Sequence, residues 1–161
     1  MTALVAYELL DPDEKIAISH QAIGAEGDSG FSEGEIFTLQ NLADLTLIES
    51  SNDGATAIGA TAGSAVLDDS NPNAVFVHAM NVKAEELGLT KTYFHNNTGL
   101  DISPTEAGAY GSARDVALLM EHIITQTPES VARTSLDSAT IKNAIGEYHV
   151  AENTNTVTQE I

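Results

Sequence analysis

Apolar residues fill most of the first ten positions, Met1 to Leu10, and the run stops at Asp11-Pro12, where proline cannot continue a helix. The pattern predicts a helix over 1–10 that begins in mid-stride, with no capping residue in front of it. Lys15-Ile16-Ala17-Ile18-Ser19 reads as a short strand. Residues 24–34 hold four Gly with Asp28, Ser29 and Ser32, and read as loop. Thr38 is placed to cap a second helix, in which Leu39, Leu42, Leu45 and Ile48 recur at three-residue spacing up to Glu49. Ser50-Ser51-Asn52-Asp53-Gly54 interrupts that pattern, and Ala55 to Ala62 resumes it with small, helix-compatible residues. Asp69-Ser70-Asn71-Pro72 reads as a turn before a helix over 73–87, closed by Gly88 as a left-handed stop.

Thr92-Tyr93-Phe94 is extended in character, followed by a polar loop from His95 to Thr98 and a turn at Gly99. Ser112-Ala113-Arg114-Asp115 has the form of a capping box. It opens a helix whose apolar face is Val116, Leu119, Met120, Ile123 and Ile124, ending before Pro128. Beyond Leu136 the pattern is strand-like, with Ile141, Ile145, Tyr148 and Val150 set among polar residues and Gly146. The chain therefore reads as one α+β unit over 1–161. It is mostly helical over about 1–133, with a strand-like tail over about 134–161 and most of a sheet unaccounted for.

Composition narrows the chemistry. At 161 residues, 42% hydrophobic and 19% charged, the chain is long and apolar enough for one buried core. A net charge of −18 repels phosphates and anionic lipid heads, so neither nucleic acid nor a membrane surface is an expected partner. Residues 1–70 carry 13 acids against Lys15 alone, a net of −12, and residues 71–161 carry a net of −6. This reads as a solvated acidic surface; Lys-poor, acid-rich surfaces also occur in proteins adapted to high salt. Zero Cys excludes thiol nucleophiles and disulfides. No stretch approaches the ~18 apolar residues of a membrane span, and the first residues lack a signal-peptide pattern. His20, His78, His95, His122 and His149 show no metal-ligand spacing, so each is expected at the surface or in a loop and no metal is expected. Phosphate-binding glycine loops and a Gly-x-Ser-x-Gly elbow are also missing, and no cofactor is expected.

Ser50-Ser51-Asn52 is the candidate site. A hydroxyl two residues before a carboxamide joins a proton-carrying group to one that both donates and accepts. Taken alone, a Ser/Asn/Asp/Gly cluster is most often a turn or cap. Its surroundings say more. The stretch from Leu39 to Ala55 resembles the region of the Ser-x-Asn motif in serine-type D-alanyl-D-alanine carboxypeptidases, the low-molecular-mass penicillin-binding proteins related to class A β-lactamases. The resemblance continues through Phe76-Val77-His78-Ala79-Met80-Asn81, Glu86 to Phe94, and His95-Asn96-Asn97-Thr98-Gly99-Leu100-Asp101. It extends to Tyr110-Gly111-Ser112-Ala113-Arg114-Asp115 and Asn153-Thr154-Asn155.

The family works with Ser-x-x-Lys, Ser-x-Asn and Lys-Thr-Gly. A serine hydroxyl needs a nearby base before it attacks, and a buried amine can serve. By resemblance, Ser50 would relay a proton, Asn52 would hold the substrate amide, and Ser51 fills the free middle position. Neither of the other motifs occurs in the sequence; Lys91-Thr92-Tyr93 is a near miss in a different segment. Met1 to Leu4 resembles what directly follows Ser-x-x-Lys, and Lys-Thr-Gly would be expected just beyond Ile161.

The resemblance thus implies the helical subdomain of the penicillin-binding-protein/β-lactamase fold with most of the sheet missing, and Ser50 and Asn52 on a loop facing a cleft. It implies a fragment that is inactive alone; a non-catalytic binding or regulatory module derived from the same fold is the alternative. The parent's ligands would be peptidoglycan stem peptides or β-lactams, in an extracytoplasmic setting.

Overall fold

The computed structural model describes residues 1–155, so the last residues of the strand-like tail, and anything beyond them, lie outside the described residues. Six helices, six short strands and a 3-10 segment follow in order. These are α1 (Thr2–Leu9), β1 (Lys15–Ala17), α2 (His20–Ile23), β2 (Ile36–Thr38), α3 (Leu39–Glu49), α4 (Asn52–Val66) and α5 (Pro72–Glu86). Then come β3 (Tyr93–Phe94), β4 (Ala109–Tyr110), α6 (Ala113–Gln126), the 3-10 segment Pro128–Ser135, β5 (Ser138–Lys142) and β6 (Tyr148–Glu152). Among the described residues the strands pair as three antiparallel two-stranded ribbons, β1–β2, β3–β4 and β5–β6.

The core forms around α3. Leu39, Leu42, Leu45 and Ile48 are all fully buried, as their spacing predicts. They meet Val5 and Ala6 of α1, Ile16 and Ile18 from the β1 segment, Phe76 and Met80 of α5, and Ala139, Ile141 and Ala151 of the terminal hairpin. Thr38 caps α3 by accepting the Asn41 amide at 3.1 Å. The same face also buries Asp44, whose burial pushes its carboxyl up while Arg133, 3.1 Å away on the 3-10 segment, pulls it down. That ion pair fastens the segment after α6 to the central helix.

Helix α4 runs longer than its small residues suggested, beginning at Asn52, so that only Ser50 and Ser51 separate it from α3. Its Gly and Ala residues let neighbours approach closely: a Cβ on Gly63 would run into the carbonyl oxygen of Pro72 at the start of α5. Gly88, with φ 69°, stops α5 as expected. Ser112 caps α6 through the Asp115 amide at 3.1 Å. The Asp115 carboxylate reaches across to the Lys91 amide at 2.7 Å and the Thr92 hydroxyl at 3.0 Å, pinning the helix start to the chain before β3.

The apolar residues of α6 and of the tail divide unevenly between core and solvent. Of the α6 face, only Ile123 is buried; Val116, Met120 and Ile124 are exposed, because few elements among the described residues cover that side. In the terminal hairpin the buried apolar residues are Ala139, Ile141 and Ala151, whereas Ile145, Tyr148 and Val150 point to solvent. The strand register decides this: Ile141 faces inward, and Ile145 sits in the hairpin turn beside Gly146. His149 does not lie free on the surface. Its Nε2 is 2.5 Å from Glu35 Oε1, and its ring packs against Phe31 and Phe37.

Candidate active site

Ser50, Ser51 and Asn52 form the junction between α3 and α4, and each takes a different conformational job. Ser50 ends α3 in the left-handed region, φ 63° and ψ 46°, the one positive-φ residue other than glycine among the described residues. That geometry costs a β-carbon-bearing residue about 1–2 kcal/mol. It lets both the Ser50 and Ser51 amides reach the Thr46 carbonyl, closing the end of α3. Ser51 is extended, buried, and caps α4 by accepting the Gly54 amide at 2.9 Å. Asn52 is the first residue of α4. Asn52 is therefore not in a loop, as the sequence suggested, but on a helix start, while the exposed Ser50 occupies the turn.

Both side chains line one cavity of about 320 Å³. The first turn of α1, Met1 to Leu4, also lines it, with Asn97 and Thr98 and with Met120 and Ile123 of α6. None of the lining residues is Lys, Arg or His. The site offers hydroxyl and amide groups but no side-chain cation.

Asn97 is a site residue that the sequence reading passed over as part of a polar loop. It is buried, and its Nδ2 donates to the Ala55 carbonyl at 2.8 Å and to Asn73 Oδ1 at 2.9 Å. Its own carbonyl accepts the Thr2 hydroxyl at 2.8 Å. One residue thus ties α1, α4 and α5 together beside the cavity. The loop carrying it is anchored by Asn81 on α5, which exchanges two 2.8 Å bonds with the backbone of Phe94. A residue whose side chain donates to a backbone carbonyl on one helix and a side-chain amide on another, while its own carbonyl takes a hydroxyl from a third, is recognised only in three dimensions; the adjacent Asn96-Asn97 pair is the one signal in the sequence.

Behind the site, the Asn52 Nδ2 donates to the Glu26 carbonyl at 2.7 Å. Asp53 is buried, with Oδ2 accepting the Ser29 amide at 3.3 Å and Oδ1 without a partner. Burial pushes its carboxyl up, the Ser29 amide opposes that, and the charge of Asp28 adds to it. No group of three or more His, Cys, Asp or Glu residues among the described residues is arranged to hold a metal ion.

Comparison with known proteins agrees with this architecture. The family model described as D-alanyl-D-alanine carboxypeptidase matches residues 1–160. The D-alanyl-D-alanine carboxypeptidase DacF of Bacillus subtilis is 35% identical over 130 residues, 77% of this chain and 31% of that protein. Among solved structures, the D-alanyl-D-alanine carboxypeptidase from Mycobacterium tuberculosis H37Rv superposes with a TM-score of 0.79 at 27% identity, covering 98% of this chain and 56% of that one. Penicillin-binding protein D2 from Listeria monocytogenes in its cefotaxime-bound form gives 0.68 at 26% identity, covering 99% and 62%. The chain thus spans about a third of the curated relative and somewhat over half of these solved structures. Its fold is a part of the penicillin-binding-protein fold, the mostly helical part.

Proposed function

The chain belongs to the D-alanyl-D-alanine carboxypeptidase family, and on that premise we propose that it is the central portion of a serine-type enzyme that removes the terminal D-alanine of peptidoglycan stem peptides through an acyl-serine intermediate. Ser50 and Asn52 are its Ser-x-Asn pair. The observation that carries this reading is their shared cavity with the first turn of α1, the turn that the resemblance sets immediately after Ser-x-x-Lys.

The division of labour follows from the chemistry. The Ser50 hydroxyl, exposed on a left-handed turn at the end of α3, carries a proton between the reacting groups. The Asn52 carboxamide has donors and an acceptor to hold a substrate amide. The nucleophile and its amine base come from Ser-x-x-Lys, which this sequence does not contain. Loss of a nucleophile from such a unit removes most of the rate. The 161-residue chain by itself therefore positions ligands without forming an acyl-enzyme. Its ligand classes are D-Ala-D-Ala peptides and β-lactams, met on the outer side of the cytoplasmic membrane.

The test is direct. Incubated with a labelled penicillin or a D-Ala-D-Ala peptide, this chain should form no covalent adduct and release no D-alanine. The peptide should still shift the amide resonances of Ser50 and Asn52, and Asn52→Ala should abolish those shifts. A stoichiometric adduct overturns the assignment of inactivity; shifts confined to another surface overturn the assignment of the site.

A further inference from the structure

The segment Glu26 to Ser29 crosses the start of α4 and is fastened to three consecutive residues. Asn52 Nδ2 donates to the Glu26 carbonyl at 2.7 Å, the Ser29 hydroxyl donates to Ser51 Oγ at 2.6 Å, and the Ser29 amide donates to Asp53 Oδ2 at 3.3 Å. Gly27, at φ 103°, supplies the turn that brings the backbone over the carboxamide. A Cβ placed on it would stand 3.7 Å from Asn52 Nδ2. Ser51 is the middle residue of the motif, to which the resemblance gives no role. It is buried, and its hydroxyl oxygen takes both the Gly54 amide and the Ser29 hydroxyl.

We propose that Glu26–Ser29 is a strap and that Ser29 is a positioning residue for the Ser50–Asn52 pair, acting through Ser51 and without touching the ligand. With Nδ2 turned to the Glu26 carbonyl, flipping the Asn52 carboxamide would set two oxygens against each other. The strap therefore fixes which end of the amide is tied. It leaves Oδ1 and the second N–H for a ligand, and a peptide group offers the complementary N–H and C=O. Ser29 holds the strap closed at its far end, gripping Ser51 with its hydroxyl and Asp53 with its amide. This inference rests on the reading of Ser50 and Asn52 as the ligand-facing pair.

The experiment compares wild type, Ser29→Ala, Ser29→Thr and Gly27→Ala in this chain by NMR. It reads the hydrogen-exchange rate of the Asn52 side-chain amide and the affinity for an N-acylated peptide ending in D-Ala-D-Ala. Ser29→Ala should speed Asn52 exchange and weaken peptide binding, each roughly fivefold, the factor that one net hydrogen bond supplies. Ser29→Thr, which keeps the hydroxyl, should restore both. Gly27→Ala breaks the strap at a different point and carries the same comparison if Ser29→Ala does not fold. Unchanged Asn52 exchange in the strap variants overturns the proposal, as does faster exchange with wild-type peptide affinity. If wild type binds no peptide, the functional reading fails on its own, and the exchange rates still decide whether the strap exists.

Discussion

At the scale of single residues, the site is built on an unfavourable backbone choice. Ser50 holds a left-handed conformation that glycine adopts freely, at the point where α3 must stop and α4 must start. A glycine there would end the helix at less cost, but it would bring no hydroxyl to the cavity. Ser50→Gly is therefore expected to raise stability by about 1 kcal/mol, read as a higher denaturant midpoint at unchanged slope. Under the proposed role it should also erase the peptide-induced shifts. Equal or lower stability would show that the Ser50 side chain stabilises the turn by a contact that outweighs the strain. The sequence displayed the Ser-x-Asn spacing plainly, yet nothing in the letters marks Ser50 as strained or Ser51 as buried. Those properties arise from the packing of two helices against each other.

At the scale of elements, close approach and cross-links dominate. Helix α4 lies against α5 with the carbonyl of Pro72 where a side chain at position 63 would be. Gly63→Ala gains helix propensity but forces the two helices apart, and should cost about 3 kcal/mol net, seen as a lower melting midpoint. The β5–β6 hairpin is fastened differently. Glu35, beside β2, is pushed up by burial, but bonds from Asn143, the Ser32 amide and His149 outweigh that and hold its carboxyl below the usual range. A group depressed on folding stabilises the protein above its unfolded pKa, and that contribution fades as pH falls through the folded value. Glu35→Gln should thus cost about 1 kcal/mol at neutral pH, with the gap to wild type closing on acidification below the usual glutamate range. A gap that stays constant with pH would rule out the ionised carboxylate as its source.

The amphipathic spacing of α3 and the Thr38 and Ser112 caps were legible because they depend on residues three or four apart. The inward face of the terminal hairpin was not legible. Ala139 and Ala151 carry too little apolar surface to announce burial, and Ile145 and Val150 announce it falsely. Short strands such as β2 escape for a related reason: Ile36-Phe37-Thr38 is defined by its pairing with residues twenty positions away.

At the scale of the whole molecule, 24 acids against six Lys and Arg set the surface. Among the described residues few are offset by a Lys or Arg pair: Lys83 bridges Glu8 and Glu86, and Arg133 meets Asp44, while His149 lies against Glu35 and His20 against Glu33. Mutual repulsion should therefore weaken the fold at low ionic strength and be screened as salt rises. Raising sodium chloride from about 0.1 M toward 1 M, where the Debye length contracts to about 3 Å, should raise the unfolding midpoint by several degrees. A flat response would show that the acids are spaced widely enough not to interact. The exposed stripe of Val116, Met120 and Ile124 on α6 belongs to the same scale, since it is apolar surface that these residues leave in water.

The junction at Ser50 has one more consequence. The two side chains of the candidate pair are rooted in different helices, Ser50 at the end of α3 and Asn52 at the beginning of α4, with a single buried residue as the axle between them. Their separation is then a lever on how α3 and α4 cross. Swapping a buried aliphatic residue such as Ile48 or Ile58 for one of another shape would repack the two helices and change how they cross. Under the proposed role of the pair, ligand affinity would be detuned while the chain remains folded, and the core would be a dial through which sequence drift adjusts recognition without altering Ser50 or Asn52.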